Sequence, residues 1–203
     1  PYPDSPDPPA HYAVEVAVLP IRIMCDPVLH ARASEVTEVT DEIRTLVADM
    51  YETMDVAPGV GLAAPQVGVG LRIYVYSYVD DDEQPWRGEI INPVLWMAPL
   101  EPGSPDHDLE SEGCLSFPGE RFPLRRSERV MVTGTDLAGG AVHIEVDGWR
   151  ARIMQHEFDH LDGILYVDRL SDSDWKTAQK IARKRGWGRT STSWMPGVDD
   201  LEG

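Results

Sequence analysis

The stretch Gln155-His156-Glu157-Phe158-Asp159-His160 constrains this chain more than any other. It is an H-E-x-x-H pattern set where a helix is expected. On a helix, His156 and His160 stand one turn apart on one face, and both imidazoles reach a single metal ion. Glu157, beside the first histidine, is placed to act as a base on metal-bound water. The flanking residues Trp149, Ile153, Met154, Phe158 and Leu161 make the segment too apolar for a solvated helix. Two histidines and a glutamate buried there need partners, because burying them unpaired is costly.

Two histidines do not complete a catalytic metal site, which uses three protein ligands and leaves one position for water. Downstream carboxylates are Asp162, Asp168, Asp172 and Asp174, none at a recognisable metalloprotease spacing. Upstream stands Cys114, in Glu112-Gly113-Cys114-Leu115-Ser116. A thiolate is a strong ligand for a divalent first-row metal. A Cys-His-His set plus water would leave the ion electrophilic and acidify its water. A structural site would fill all four positions with protein ligands. The one other cysteine, Cys25, could supply one, but it reads more economically as a small buried apolar residue.

A length of 203 residues fits one domain with tails, and an apolar fraction of 42% is ample for a core. The formal net charge of -17 predicts a soluble protein that repels nucleic acid on average, so no DNA partner is expected. No apolar run approaches the roughly 18 residues of a membrane span. Pro1 to Ala10 is rich in proline and aspartate and lacks a secretory pattern. Two cysteines make no disulfide framework, so a reducing, cytoplasmic setting is expected.

Residues 1–17 read as an extended or disordered tail, 18–170 as a catalytic domain, and 171–203 as a C-terminal helix and tail. Ile21 to Pro27 should lie on the core. Thr40 is placed to cap a helix to about Asp55, with Ile43, Leu46, Val47, Met50 and Met54 at helical spacing. A glycine-rich loop, 59–70, follows. Leu71 to Val79 alternates like a strand, with Ile73 and Val75 on one face. Asp80 to Glu83 is an acidic turn. Glu89 to Trp96 is a strand in which Pro93 favours an edge or a bulge. Pro99 to Asp108 is a loop. Val130 to Thr135 and Ala141 to Val146 flank Gly139-Gly140 as a hairpin. Gly148 to Leu161 is the metal helix, ended near Gly163. Ser171 or Ser173 caps a last helix to about Arg185, closed by Gly186. The tail 187–203 shows no period. The class is α+β: antiparallel strands packed around a central metal-binding helix, with flanking N- and C-terminal helices.

Gly59-Val60-Gly61-Leu62-Ala63-Ala64-Pro65-Gln66, Glu112-Gly113-Cys114-Leu115-Ser116 and Gln155-His156-Glu157-Phe158-Asp159-His160 together resemble the three signature motifs of the peptide deformylases, in the same order and separation. The likeness extends over roughly 18–170, is of the type I bacterial kind, and departs from the pattern at no motif position. The tail with Trp194-Met195-Pro196-Gly197 resembles actinobacterial members. The resemblance implies metal-dependent removal of the formyl group from the N-terminal formyl-methionine of nascent polypeptides, with release of formate. It implies that Cys114, His156 and His160 hold one divalent ion, Fe(II) in the cell, with zinc, nickel or cobalt able to take its place. Glu157 becomes base then acid, while Gln66 and the N–H of Leu115 stabilise the oxyanion. Val60, Gly61 and Gly113 receive the peptide, Val60 touching the methionine side chain. Glu112 is expected to steady the cysteine loop through an ion pair with Arg121 or Arg126. The basic residues Lys176, Lys180, Arg183, Lys184, Arg185 and Arg189 suggest docking on ribosomal RNA, against the plainer reading that they favour a helix dipole. The rival class is a zincin-type metallopeptidase, which would need a third ligand after His160.

Overall fold

In the computed structural model, which describes residues 16–79, 85–188, 192–199 and 201, the helix expected after Thr40 forms as α1 (Asp41–Val56). The N-terminal stretch before residue 16, the acidic turn at 80–83 and Arg189 lie outside the described residues. Asp41 and Glu42 occupy the first turn of α1, where negative charge suits the helix dipole. Val47, Met50 and Met54 are buried at the spacing of one helical face. Ahead of α1 runs β1 (Ile21–Arg22), with Ile21 and Ile23 fully buried, as a segment laid on the core should be. Cys25 departs from expectation: it is exposed, because Ile23 and Met24 take the inward positions of that segment.

The strands are β2 (Gly61–Ala63), β3 (Ile73–Val79), β4 (Pro85–Met97), β5 (Ser111–Cys114), β6 (Phe117–Pro123), β7 (Arg129–Thr135), β8 (Ala141–Asp147) and β9 (Ser193–Trp194). Every pairing between these strands is antiparallel. Five form one sheet in the order β2-β3-β4-β7-β8, while β5-β6 and β1-β9 form two ribbons. The remaining helices are α2 (Gly148–Leu161) and α3 (Asp172–Lys184). Three helices with antiparallel sheets make the fold α+β, as expected.

The sheet is buried on both faces at β2 and the first residues of β3. Ile73 and Val75 share a core with Leu62 and the α1 residues Val47, Met50 and Met54. Tyr74 and Tyr76 point the other way, into a core with Ala151, Ile153 and Met154 of α2. The Tyr74 hydroxyl meets Met154 Sδ at 3.1 Å. So α2 lies on one face of the sheet and is fixed against it by large side chains.

One local expectation needs correction, and a second is met in one of its two forms. The glycine-rich stretch 59–70 is not simply loop: β2 pairs Leu62 with Val75, and Ala64–Val67 makes a 3-10 turn that Gly68 closes at φ 88°. Its three strand residues are all buried, a stronger determinant than the glycine content. Pro93 sits in no edge strand, since β4 lies between β3 and β7. It falls in a bulge, where the register to β7 jumps from Ile91 to Val94. The missing proline N–H is tolerated in that gap. Asn92 turns the bulge at φ 51° and clamps the backbone of Val36 with two side-chain bonds of 2.8 Å.

At the C-terminal end, Ser171 Oγ accepts from Asp174 N, and Gly186 closes α3 at φ 71°. Ala178, Ala182, Trp187 and Trp194 enter the same core as α1. The tail 187–203, which shows no period in sequence, holds β9, which pairs Trp194 with Ile21. A two-residue strand is too short to display a period. Among the described residues, no helix is long and apolar enough to cross a membrane.

Candidate metal centre

The β5–β6 ribbon and α2 bring Cys114, His156 and His160 together. Their ligand atoms lie within 4.8 Å of one another, and Cys114 Sγ is 3.3 Å from His160 Nε2. A tetrahedral pair with ordinary metal–sulfur and metal–nitrogen bonds would stand about 3.6 Å apart. One thiolate and two imidazoles at that spacing fit a divalent first-row ion. The downstream aspartates do not join them. Asp162 bonds Arg72 at 2.7 Å, and Asp168 caps Leu165 N at 2.9 Å.

Behind the histidines lies a buried charge network. Glu112, 3% exposed, accepts from His156 Nδ1 at 3.0 Å, leaving Nε2 of that ring for an ion. Arg126 meets Glu112 at 2.7 Å and Asp159 at 2.6 Å. Arg152 reaches Glu112 at 2.8 Å, and Arg169 closes on Asp159 at 2.6 Å. Burial alone would push the Glu112 carboxyl up, but Arg126 and His156 together hold it well below the usual carboxylate range. Burial likewise lowers His156, yet Cys114 and Glu112 outweigh it and raise the ring well above its ordinary value. Burial lowers His160, and His156 and Arg126 lower it further. Of the two expected partners of Glu112, Arg126 is the one that pairs. Arg121 instead donates to the carbonyl of Ser111 at 2.8 Å.

Glu157 is 3% exposed, and burial pushes its carboxyl up to about 7. Its Oε2 is buried with no hydrogen-bond partner among the described residues. A Cβ at Gly61 would come within 2.2 Å of Glu157 Oε1, so the carboxylate occupies space that only glycine leaves open. Gln66, 1% exposed, accepts from Ala63 N through Oε1 at 2.8 Å. That bond turns Nε2 toward Ser116 Oγ at 3.3 Å and Cys114 Sγ at 3.8 Å.

These groups border a cavity of about 320 Å³, which Val60, Gly61, Gln66, Gly113, Cys114 and Leu115 help to line. The cavity also reaches Glu157 and His156. β2 is one of the two outer strands of the sheet. Val60 O already accepts from Ser77 N, so the alternation of the ladder turns the N–H and C=O of Gly61 outward, to the open edge.

Sequence reasoning missed Arg152, Asp159 and Trp194 as parts of this centre. Arg152 and Asp159 stand on the helix that carries the histidines, four residues before His156 and three after it, and that spacing was the available signal. Trp194, whose Nε1 donates to the carbonyl of Leu115 at 2.8 Å, gives no local sign of its role.

Comparison with known proteins agrees with this geometry. The family model described as polypeptide deformylase matches residues 18–176. A peptide deformylase of Rhodococcus opacus is 50% identical over 187 residues, covering 90% of this chain and 95% of its own. One from Mycolicibacterium paratuberculosis is 47% identical over 189 residues, covering 90% and 96%. The crystal structure of peptide deformylase from Ehrlichia chaffeensis superposes with a TM-score of 0.73 at 34% identity, covering 86% of this chain and 99% of that one. By sequence over most of its length, and by fold, this chain belongs to the polypeptide deformylase family.

Proposed function

We propose that this chain removes the formyl group from the N-terminal formyl-methionine of nascent polypeptides by metal-dependent hydrolysis, with Cys114, His156 and His160 holding one divalent ion. The observation that carries the reading is the convergence of those three donors beside a buried, unpartnered Glu157 carboxylate in one cavity. When bound, the ion supplies Lewis acidity at the formyl oxygen and makes water a nucleophile near neutral pH. Glu157, whose burial raises its proton affinity, takes the proton from the attacking water and returns it to the departing amine. The amide of Gln66 and the N–H of Leu115, both residues of the cavity lining, are assigned to the developing oxyanion. A donor of this kind is worth about 3–4 kcal/mol of barrier. Gly61 offers its outward N–H and C=O to an extended peptide laid along β2, Gly113 borders the opposite wall, and Val60 meets the methionine side chain.

Fe(II) is the ion assigned in the cell. A thiolate bound to it is open to oxidation, and zinc, nickel or cobalt suits the same donors. The zincin-type alternative is not favoured, since among the described residues the donor grouped with His156 and His160 is Cys114 and no residue after His160. We further assign the cytoplasm as the working compartment and the exposed Lys176, Lys180, Arg183 and Lys184 of α3 as a ribosome contact. Arg185 is engaged with Glu120 at 2.7 Å, and Arg189 lies outside the described residues.

The test is Cys114→Ala beside the parent, both loaded with Ni(II) and given formyl-Met-Ala-Ser. The parent should release formate, and the variant should lose the ion and all turnover. A Cys114→Ala protein that kept both would place the third ligand elsewhere and return the zincin reading.

A further inference from the structure

The stretch that carries Cys114 is gripped from behind by the β1–β9 ribbon. Trp194 Nε1 donates to the carbonyl of Leu115 at 2.8 Å, and Met24 N donates to the carbonyl of Ser116 at 2.8 Å. The ribbon is itself fixed, through Ile21 paired with Trp194 and Ile23 N donating to Thr192 O at 2.8 Å. Trp194 is 4% exposed, and a buried indole N–H requires an acceptor. Its acceptor is the peptide group joining Leu115 to Ser116. The N–H of that same peptide, on Ser116, donates to Cys114 Sγ at 3.4 Å. Indole, carbonyl, amide and sulfur therefore form one connected line.

A hydrogen bond received at an amide oxygen polarises the amide and strengthens the bond its N–H donates. A hydrogen bond received by a ligating thiolate draws electron density from the sulfur and tunes the metal. We propose that Trp194 is a positioning residue for deformylation, which through the Leu115–Ser116 peptide sets both the conformation of Leu115 and the donor strength of Cys114. The proposal rests on the reading of Cys114 as a metal ligand. Trp194 does not line the cavity, so it acts through its neighbours.

Other contacts from the same end of the chain reach the β5–β6 ribbon. Trp187 packs edge-on against Phe117 at 4.9 Å, and Arg185 bonds Glu120 at 2.7 Å. The carbonyl of Leu201 lies 2.6 Å from where a Cβ on Gly119 would stand. If Trp194 served packing alone, a ring of equal volume would replace it silently. If it serves the relay, loss of the N–H alone is felt at the sulfur.

The experiment compares the full-length, Co(II)-loaded parent with Trp194→Phe and with benzothienylalanine incorporated at position 194. The second replacement keeps the ring volume and deletes the donor, so it decides the matter where Trp194→Phe folds poorly. The readouts are the thiolate-to-cobalt charge-transfer band, and kcat and KM on formyl-Met-Ala-Ser. The band should move to longer wavelength, and kcat should fall about tenfold with KM little changed. A band and a kcat equal to the parent's in the isosteric protein would overturn the proposal and leave Trp194 a packing residue. A parent without any charge-transfer band would overturn the thiolate ligand itself, and the proposal with it.

Discussion

Gly61 and Glu157 show at the scale of single residues how one atom decides chemistry. The carboxylate lies where a Cβ on residue 61 would stand, at 2.2 Å, so Gly61→Ala must displace it. A misplacement near 1 Å costs about 100-fold in rate. We expect Gly61→Ala to retain its metal and its melting temperature while kcat falls by about that factor. Unchanged kcat would show that the carboxylate tolerates movement. Glu112 governs more than one partner, since Arg126, Arg152 and His156 all bond it. Glu112→Gln leaves buried guanidinium groups short of a charge and should cost about 3–5 kcal/mol, measured by urea unfolding. It should also weaken Co(II) binding about 10–100-fold, because His156 loses the carboxylate that orients its ring. A loss of stability with full metal affinity would separate the network from the metal. Cys114, His156, His160 and Glu157 were legible as candidates because metal and acid–base chemistry restricts which side chains serve. Arg152 and Asp159 were not read, since a charge on a helix announces no partner until the fold supplies one.

Elements differ in how openly the chain encodes them. Helix α2 was legible from Gly148 to Leu161, because its apolar side repeats at helical spacing and glycines flank it. The β7–β8 hairpin was equally open, with Gly139-Gly140 between two alternating runs. Strand β2 was hidden: three residues carry little period, and its glycine argues for loop. It is a strand because Leu62 fills the core beneath Val75 and α1, a tertiary gain that overrides local preference. β4 conceals its bulge behind Pro93, and Asn92 holds that bulge through two bonds to Val36. Replacing Asn92 with alanine removes both bonds and a residue suited to positive φ. We expect a loss of about 2–3 kcal/mol in urea unfolding with activity preserved. A neutral Asn92→Ala would mean that the bulge needs neither bond.

Across the whole molecule, the candidate metal centre draws on distant parts of the chain. β2 borders one wall of the cavity, α2 supplies the histidines, and β9 returns to hold Leu115. A truncation after Gln179 therefore removes Ala182, Trp187 and Trp194 from the core, and is no clean probe of ribosome docking. Charge reversal of Lys176, Lys180 and Lys184, all exposed on α3, is cleaner. It should weaken ribosome binding and flatten its salt dependence while sparing turnover of a small formyl peptide. Unaltered ribosome affinity in that triple variant would reduce those charges to their effect on the helix dipole. The net charge of -17 makes a basic patch stand out in the sequence, but not its purpose. Deformylation as proposed requires Glu157 to act beside a metal held by Cys114, His156 and His160. The most direct measurement is formate release from formyl-Met-Ala-Ser by anaerobically prepared, Fe(II)-loaded protein, with Glu157→Gln at equal metal content. Formate from the parent and none from the variant is the predicted result. Substantial turnover by metal-loaded Glu157→Gln, or none by the loaded parent, would contradict the account.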